Sequence, residues 1–369
     1  MTHPHPINSG NAMKLGIMAF NCSGGATVTT APEAWPMTWA DNVKLAKLAD
    51  DAGFEALLPV GRWKGYGGPS NFNNSTFESF TWAAGIAAVT ERIAVCATIH
   101  APLAHPVMAA KQAATIDHIS GGRFVLNVVC GWFREEFEMF AAEWRDHDRR
   151  YEYAAEWLTL ARQAWTETEP FDFNGEFFTG KAIWSEPKPL QGGGLQIMNA
   201  GSSPTGQRFS AENCDMNFVM LRQKGETSDR AQIAGLKTMA VNSGRKSQCW
   251  IHGYVVCRGT QEEAETNLNR YVKDFGDDEA VGNMLSIFGM ESETLEPEVM
   301  EAFRFHFKAG HGGYPLVGTP AKIVDDMVRL RAMGVDGILL SWLDYLGEAQ
   351  QWVDEVLPLM EAAGLRSPL

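Results

Sequence analysis

Short apolar runs alternate with longer amphipathic segments along most of the chain, and the clearest unit spans residues 92–136. Within this unit, two apolar, β-branched runs at 93–99 and 124–129 flank a segment that begins at Pro106 and stops at Gly121. A run that is apolar on both faces is typical of a parallel strand covered on both sides. Proline in the first turn and glycine after the last are typical of a helix. The pattern therefore predicts a strand, a crossover helix and a parallel strand.

The same alternation recurs along the rest of the chain. Strands are predicted at residues 15–21, 56–60, 93–99, 124–129, 195–200, 216–220, 250–257 and 337–342. Helical spacing of apolar residues falls at 38–52, 79–90, 106–120, about 150–165, 233–242, from about 261, at 319–334 and again up to 363. Eight alternations of strand and helix, without a second long sheet pattern, predict a TIM (β/α)8 barrel.

Three segments interrupt this alternation. Residues 61–78 form a long loop rich in Gly, Asn and aromatic residues, and such loops are usually lids or binding elements. Residues 168–190 alternate apolar and polar positions, which predicts a small hairpin beside the barrel. Residues 277–317 are acidic and Gly-rich and are expected to be a mostly helical excursion. Residues 1–12 are expected to be a disordered lead-in, so that a single domain spans 13–369.

Composition and charge narrow the functional classes. The formal net charge of -14 argues against nucleic acid and anionic membranes as partners. The shares of 45% hydrophobic and 21% charged residues fit a globular protein with a large core. The six cysteines include no CxxC pair and are expected to be reduced core residues in a cytoplasmic protein. No apolar run reaches the length of a membrane span, and the first residues lack an apolar signal region.

Polar residues stand toward the carboxyl ends of two predicted neighbouring strands. Thr98 and Asn127 lie inside or at the end of apolar runs, where an unpaired polar group costs roughly 1 to 3 kcal/mol. In a closed barrel, the carboxyl ends of the strands carry the active site. A structural role remains open for both, since threonine is common in strands and a buried asparagine can be satisfied by backbone groups.

A candidate anion site follows the strand predicted at 195–200. Residues 200–204 read Ala-Gly-Ser-Ser-Pro, so glycine permits close backbone approach and the proline can open a helix whose N-terminal amides favour phosphate. Arg150 and Tyr151 could add a cation and a phenol to the same phosphate. The alternatives are an ordinary helix N-cap and a surface arginine beside Asp146 and Asp148.

Signatures of other cofactors are missing from the sequence. His100 and His105 have no acidic or cysteine cluster at metal-ligand spacing, so no metal is expected. The segments GYGG at 65–68 and GTP at 318–320 do not continue into the Lys-Ser/Thr pattern of a phosphate loop. No GxGxxG follows a predicted strand, which excludes a built-in nicotinamide-binding domain.

Several segments resemble the bacterial luciferase-like flavin monooxygenases. They are ATIDHISGGRFVLNVVCGWFREEFEMF, HDRRYEY, FNGEFF, NAGSS, KGYGG and TFESF. The resemblance runs from about Met13 to the last helix, is most specific around residues 115–136 and is looser in the C-terminal third. GYGG and TFESF look like the pyrimidine monooxygenases, whereas HPVMAAKQ, CGWF and LVGTP look like the dimethyl sulfone monooxygenases. This mixture leaves the substrate open.

The resemblance implies a two-component enzyme on a luciferase-like barrel. FMN reduced by a separate NAD(P)H-dependent flavin reductase would bind at the carboxyl end of the barrel and activate dioxygen as an N5-peroxide or N5-oxide species. The positions that match the family's FMN contacts are Val60, Gly61, Asn127, Glu136, Arg150, Tyr151 and Ser203. Thr98 and Asn127 match residues that hold dioxygen near the flavin N5 edge, and are the predicted catalytic pair.

The substrate would be a small heterocyclic or organosulfur compound. Its pocket is expected to include Trp63, Tyr66, His100 and Trp132, although these aromatic residues could equally belong to the core or to an interface. Residues 99–102 depart from the pyrimidine monooxygenase pattern, which predicts an altered pocket wall.

Two other functions stay open on the sequence alone. A deazaflavin-dependent dehydrogenase on the same barrel would need no oxygen. A flavin-binding protein without turnover would bind FMN yet show no product-linked oxygen consumption. In each case a homo-oligomer, either a dimer or a tetramer, is expected.

Overall fold

The computed structural model describes residues 4–221, 225–288 and 297–368. Its strands are β1 Lys14–Met18, β2 Ala56–Leu58, β3 Ala94–His100, β4 Phe124–Val129, β5 Phe171–Asn174, β6 Thr179–Ile183, β7 Gln196–Asn199, β8 Met216–Val219, β9 Gln248–Cys257, β10 Tyr314–Gly318 and β11 Gly337–Ser341.

The helices lie between these strands. They are α1 Trp39–Asp51, α2 Ser79–Ala87, α3 Pro106–Ile119, α4 Arg134–Met139, α5 His147–Thr166, α6 Pro204–Asn213, α7 Glu226–Asn242, α8 Gln261–Asn269, α9 Asp278–Ile287, α10 Pro297–Gly310, α11 Pro320–Met333, α12 Tyr345–Gln351 and α13 Leu357–Ala362. Short 3-10 turns occur at Pro6–Asn8 and Ala101–Leu103, and π-helical turns at Arg270–Asp274 and Trp352–Val356.

Eight parallel strands close into a barrel in the order β1-β2-β3-β4-β7-β8-β9-β11. Closure depends on β9, because its residues 248–251 pair with β8 and its residues 250–254 pair with β11. The strands are buried along nearly their whole length, as expected of a parallel sheet covered by helices. The predicted TIM barrel and its eight strands are confirmed.

A ninth strand, β10, extends the sheet beyond the barrel. It pairs only with residues 253–257 of β9, so it is an edge strand and tolerates Pro315, which would be excluded from a central strand. The segment 277–317 contains α9 and α10 as expected, but its end forms this strand instead of continuing the helical excursion. Residues 289–296 of the segment lie outside the described residues. The predicted hairpin beside the barrel is confirmed as the antiparallel pair β5–β6.

The segment before β1 packs against the amino-terminal end of the barrel, so the expected disordered lead-in is wrong for residues 4–12. Ile7 is fully buried, and its carbonyl accepts a hydrogen bond of 2.7 Å from Gln248 Nε2. Ser9 Oγ and Asn11 Nδ2 donate to Glu55 Oε1 at 2.9 and 2.6 Å. The polar composition of this segment predicted disorder, because its hydrogen-bond partners Glu55 and Gln248 are distant in the sequence. Residues 1–3 are not described.

A buried ion pair completes this end of the barrel. Arg366 Nη1 lies 2.7 Å from Glu55 Oε2, and both side chains are 3% exposed. Arg366 also donates to the carbonyls of Met13 and Gly53, while Glu55 accepts from the amide of Leu15 at 2.8 Å. Within the described chain, neither member of the pair has a buried polar atom without a partner.

All six cysteines are buried as free thiols, which agrees with the prediction that they belong to the core. Burial raises the pKa of Cys96 and Cys214 to about 12, so both thiols are protonated at neutral pH. Across the described ranges, we find no helix with the length and apolar character needed to cross a membrane.

Candidate active site

A cavity of about 430 Å³ opens at the carboxyl ends of the barrel strands. This volume lies within the range of roughly 300 to 1,000 Å³ that is typical of small-molecule sites. Its wall is built from residues of β1, β2, β3, β4, β7, β8 and β9, from the first turns of α5, and from loops that include residues 311–314 before β10. The location is the one at which barrel enzymes carry their chemistry.

Ten of the twelve predicted site residues line this cavity. They are Val60, Gly61, Tyr66, Thr98, His100, Asn127, Trp132, Arg150, Tyr151 and Ser203. The structure does not place Trp63 in the wall, because its ring turns outward, packs at 4.9 Å against Phe140 and is 46% exposed. Glu136 is also absent from the wall, since it is buried behind Arg62 and accepts hydrogen bonds from the loop after β2.

Residues 200–204, predicted as an anion site, lie at the start of α6. Ser203 Oγ accepts the amide hydrogen of Gly206 at 3.1 Å, as an N-cap does. Burial raises the pKa of Tyr151 to about 12, and its hydrogen bond with Ser203 opposes the rise. The phenol is therefore a proton donor at neutral pH. A Cβ at Gly201 would lie 2.7 Å from Gly206 Cα, so only glycine permits this close approach.

Arg150, the predicted cation of this site, lines the same cavity. Its guanidinium stacks 4.4 Å from the ring of Trp144, and Nη1 donates to the carbonyl of Arg145 at 3.2 Å. The residue is 9% exposed, so the surface alternative is wrong. Asp148 instead accepts from Thr205 Oγ1 at 2.8 Å. A helix N-terminus and a buried arginine together favour an anion such as a phosphate monoester.

Thr98 and Asn127 meet directly in the centre of the cavity wall. They face each other in the β3–β4 register, and Asn127 Nδ2 donates to Thr98 Oγ1 at 3.0 Å. Thr98 Oγ1 in turn donates to the carbonyl of Pro59 at 2.6 Å. Asn127 Oδ1 is buried and has no partner among the described residues. Thr98 therefore orients Asn127, and the unpartnered oxygen points to a ligand, because leaving it unpaired costs roughly 1 to 3 kcal/mol.

Sequence analysis missed Arg62, which lines the cavity beside the predicted residues. Its Nη1 lies 3.2 Å from Glu136 Oε1, and its guanidinium lies 4.7 Å from the centroid of Trp132 and 5.4 Å from that of Tyr66. Its Nε is buried without a partner in the described chain. A lone arginine in an aromatic-rich loop, directly after Gly61, is the signal that could have identified it.

Two cavity histidines, His252 and His311, were also missed. His252 Nε2 lies 2.8 Å from Ser341 Oγ, and burial lowers the pKa of His252 to about 3. Burial together with the charge of Arg62 lowers the pKa of His311 to about 4 and that of His100 to about 3. All three rings are neutral at neutral pH. In the part of the chain that is described, no group of His, Cys, Asp and Glu side chains could hold a metal ion.

Comparison with known proteins agrees with the fold. Residues 13–337 match the family model described as luciferase-like monooxygenase. The chain is 32% identical over 358 residues to the FMNH2-dependent dimethylsulfone monooxygenase of Pseudomonas putida, covering 94% of this chain and 95% of that protein. It is 31% identical over 357 residues to the pyrimidine monooxygenase RutA of Enterobacter cloacae subsp. cloacae, covering 95% of this chain and 96% of that protein.

Solved structures show the same fold at lower identity. A riboflavin lyase (RcaE) structure with modified FMN and riboflavin has a TM-score of 0.85 at 19% identity, covering 96% of this chain and 92% of that chain. DmoA from Hyphomicrobium sulfonivorans has a TM-score of 0.82 at 19% identity, covering 95% of this chain and 88% of that chain.

Proposed function

Because the chain belongs to the luciferase-like monooxygenase family, we propose that it is a flavin monooxygenase that uses dioxygen and FMN reduced by a separate enzyme to oxidise a small organic molecule. The observation that carries this proposal is a single cavity in which a phosphate-type anion site is accompanied by the unpartnered Asn127 Oδ1. A phosphorylated flavin needs both features, since its phosphate requires donors and its ring edge requires a polar partner.

The residues present fit FMN. Ser203, Tyr151, Arg150 and the N-terminus of α6 would hold the phosphate, and Gly201 permits the close approach of the loop to α6. Asn127 would hydrogen-bond a polar edge of the flavin ring. When bound in its reduced form, FMN supplies the two electrons that dioxygen activation requires. We assign Glu136 an indirect role, because it positions Arg62 and the loop after β2 instead of facing the cavity.

The remaining cavity residues shape the site around the cofactor. Trp132 stacks at 4.6 Å on Phe288 and at 6.4 Å on Tyr66, so an aromatic wall excludes water from one side. Thr98 fixes the amide of Asn127, because Nδ2 donates to Thr98 Oγ1 and leaves Oδ1 to accept a hydrogen bond from the flavin ring. His100 is neutral and adds no charge beside the cofactor.

The substrate is proposed to be a small heterocyclic or organosulfur molecule. The support is that relatives similar over nearly the whole chain are named for dimethylsulfone and for pyrimidine. A separate NAD(P)H-dependent flavin reductase is proposed as partner, because the sequence contains no dinucleotide-binding fingerprint.

The test supplies the purified protein with NADH, FMN, dioxygen and a substrate panel, in the presence or absence of an added flavin reductase. We expect negligible NADH oxidation by the protein alone and, with the reductase, an oxygenated product identified by mass. Rapid unaided NADH oxidation would contradict the need for a partner. FMN binding without any product would favour a flavin-binding protein, and anaerobic turnover with a reduced deazaflavin would favour a dehydrogenase.

A further inference from the structure

The guanidinium of Arg62 is fixed in the cavity wall before any substrate arrives. Its side chain is 6% exposed and lies 4.7 Å from the Trp132 ring, 5.4 Å from the Tyr66 ring and 5.5 Å from the Phe133 ring. These rings are nearly parallel, with 13° between Tyr66 and Trp132 and 5° between Tyr66 and Phe133. Three aromatic rings therefore surround the guanidinium at cation–π distance and fix its position.

The hydrogen-bonding capacity of Arg62 is incompletely used. A guanidinium has five N–H donors, and the described residues supply one hydrogen-bond acceptor, Glu136 Oε1 at 3.2 Å. Among the described residues, the buried Nε atom has no partner, and neither has Nδ1 of His311 in the same cavity. Leaving the Nε–H donor unpaired costs free energy, so this part of the wall favours a ligand that carries an acceptor atom, whereas the role of His311 Nδ1 depends on its tautomer.

The charge of Arg62 is already balanced. Glu136 is 1% exposed and also accepts the amide hydrogens of Trp63 at 2.7 Å and Lys64 at 3.3 Å. His100 Nδ1 lies 3.5 Å from Glu136 Oε2, and burial keeps this histidine neutral by lowering its pKa to about 3. The local net charge is therefore zero, and an anion buried here would have no countercharge.

We infer that Arg62 and Glu136 form a charge-balanced subsite that selects a substrate with a neutral acceptor oxygen, such as a sulfonyl or ring carbonyl group, over an anion of the same shape. The inference rests on the proposed function for the use of this cavity by a substrate. Arg62 is the residue that contacts the substrate. Glu136 is a positioning residue. Its negative charge balances that of Arg62, so the substrate meets a subsite without net charge.

The test compares two probes of nearly the same shape, neutral dimethyl sulfone and anionic methanesulfonate. Binding is measured by calorimetry on the protein saturated with oxidised FMN, so that the anion site at α6 is occupied and no turnover occurs. The wild-type protein is expected to prefer dimethyl sulfone by about ten-fold or more, since burying an uncompensated charge is unfavourable. Glu136→Gln leaves Arg62 without its countercharge and is expected to reverse the preference by a similar factor.

Two further variants distinguish a change in probe preference from a general effect on folding. Glu138→Gln is the matched control, because Glu138 lies on the same helix, is exposed and pairs only with Arg134 among the described residues, at 3.3 Å. It should keep the wild-type preference. Arg62→Lys retains the charge but loses the Nε–H donor, so dimethyl sulfone should bind about ten-fold more weakly. This variant tests the subsite independently if Glu136→Gln does not fold.

The outcomes are distinct from those that test the proposed function. The same probe preference in wild type and folded Glu136→Gln, unchanged sulfone affinity in Arg62→Lys, or no binding of either probe to the FMN-loaded protein would overturn the inference. Failure of the wild-type protein to bind FMN would instead overturn the proposed function.

Discussion

The barrel buries one arginine–glutamate pair at each end, and the two pairs differ in how completely they are hydrogen-bonded. At the amino-terminal end, Arg366 and Glu55 lie 2.7 Å apart, and neither has a buried polar atom without a partner in the described chain. At the carboxyl end, Arg62 and Glu136 lie 3.2 Å apart, and the Nε of Arg62 has no partner among the described residues. Both pairs are more than nine-tenths buried.

The two ion pairs differ in the role that their hydrogen bonding indicates, one in stability and the other in ligand binding. A buried charge is tolerated when its partners are supplied by the fold, which is the situation around Glu55 with its four donors. At the carboxyl end, several cavity-lining residues have a buried polar atom without a hydrogen-bond partner among the described residues. These atoms include Asn127 Oδ1 and His311 Nδ1. We call the amino-terminal end, with Arg366 and Glu55, the closed end, and the carboxyl end, with Arg62 and Glu136, the open end. The arrangement at the closed end favours stability, and that at the open end favours ligand binding.

The largest effect is expected at the closed end. Arg366→Met leaves Glu55 as an uncompensated buried charge, so the free energy of unfolding should fall by about 3 to 5 kcal/mol. FMN affinity of the folded fraction should not change, because the substitution lies at the opposite end from the cavity. Urea denaturation and FMN titration measure the two quantities.

The control for this variant is Lys44→Met, which removes the exposed ion pair with Asp41. It should change the stability by no more than about 1 kcal/mol. Equal losses in the two variants would contradict the special role of the buried pair.

A smaller effect, on activity instead of stability, is expected for Asn127→Leu at the open end. The change removes an unpartnered buried oxygen, and Thr98 Oγ1 keeps its bond to the Pro59 carbonyl. Unfolding free energy should therefore change by less than about 1 kcal/mol. Product formation with reduced FMN should fall by about ten-fold, because the flavin ring would lose a hydrogen-bond acceptor.

Stopped-flow oxidation of protein-bound reduced FMN, with the product quantified, measures this effect. Thr98→Val is the companion variant, and its effect should be weaker because Thr98 acts by orienting Asn127. Full product formation in Asn127→Leu would remove the asparagine from the catalytic pair.

The smallest effect concerns the anion site. Ser203→Ala deletes one hydroxyl near the phosphate position, so FMN affinity should fall by about 0.5 to 1.5 kcal/mol. Riboflavin lacks the phosphate, and its affinity should stay within error. Fluorescence titration with both flavins tests the difference; an equal loss for the two would place the phosphate elsewhere.

The barrel could be predicted from sequence because its signals are local. Each strand is a short apolar run, and proline or glycine marks helix boundaries, as at Pro106 and Gly334. β10 was missed because Pro315 argues against a central strand and nothing local reveals that the strand lies at an edge. The packing of residues 4–12 was missed because Glu55 and Gln248 are distant in sequence.

The candidate site was predictable where a residue type matched a family position, as for Ser203 and Tyr151. Arg62 matched no such position, and its role depends on ring stacking and on a missing hydrogen bond that appear only in three dimensions. Glu136 was assigned to the cofactor because sequence position cannot distinguish a cavity wall from the layer behind it.

The burial of every cysteine has a practical consequence for fluorescence work. A cysteine introduced at Met139, which is 59% exposed on α4, would be far more accessible than any native thiol, because all six are buried. A maleimide dye would then attach at one position without prior removal of native thiols. Because α4 also carries Glu136, the emission of that dye would report how the helix responds when a molecule enters the cavity.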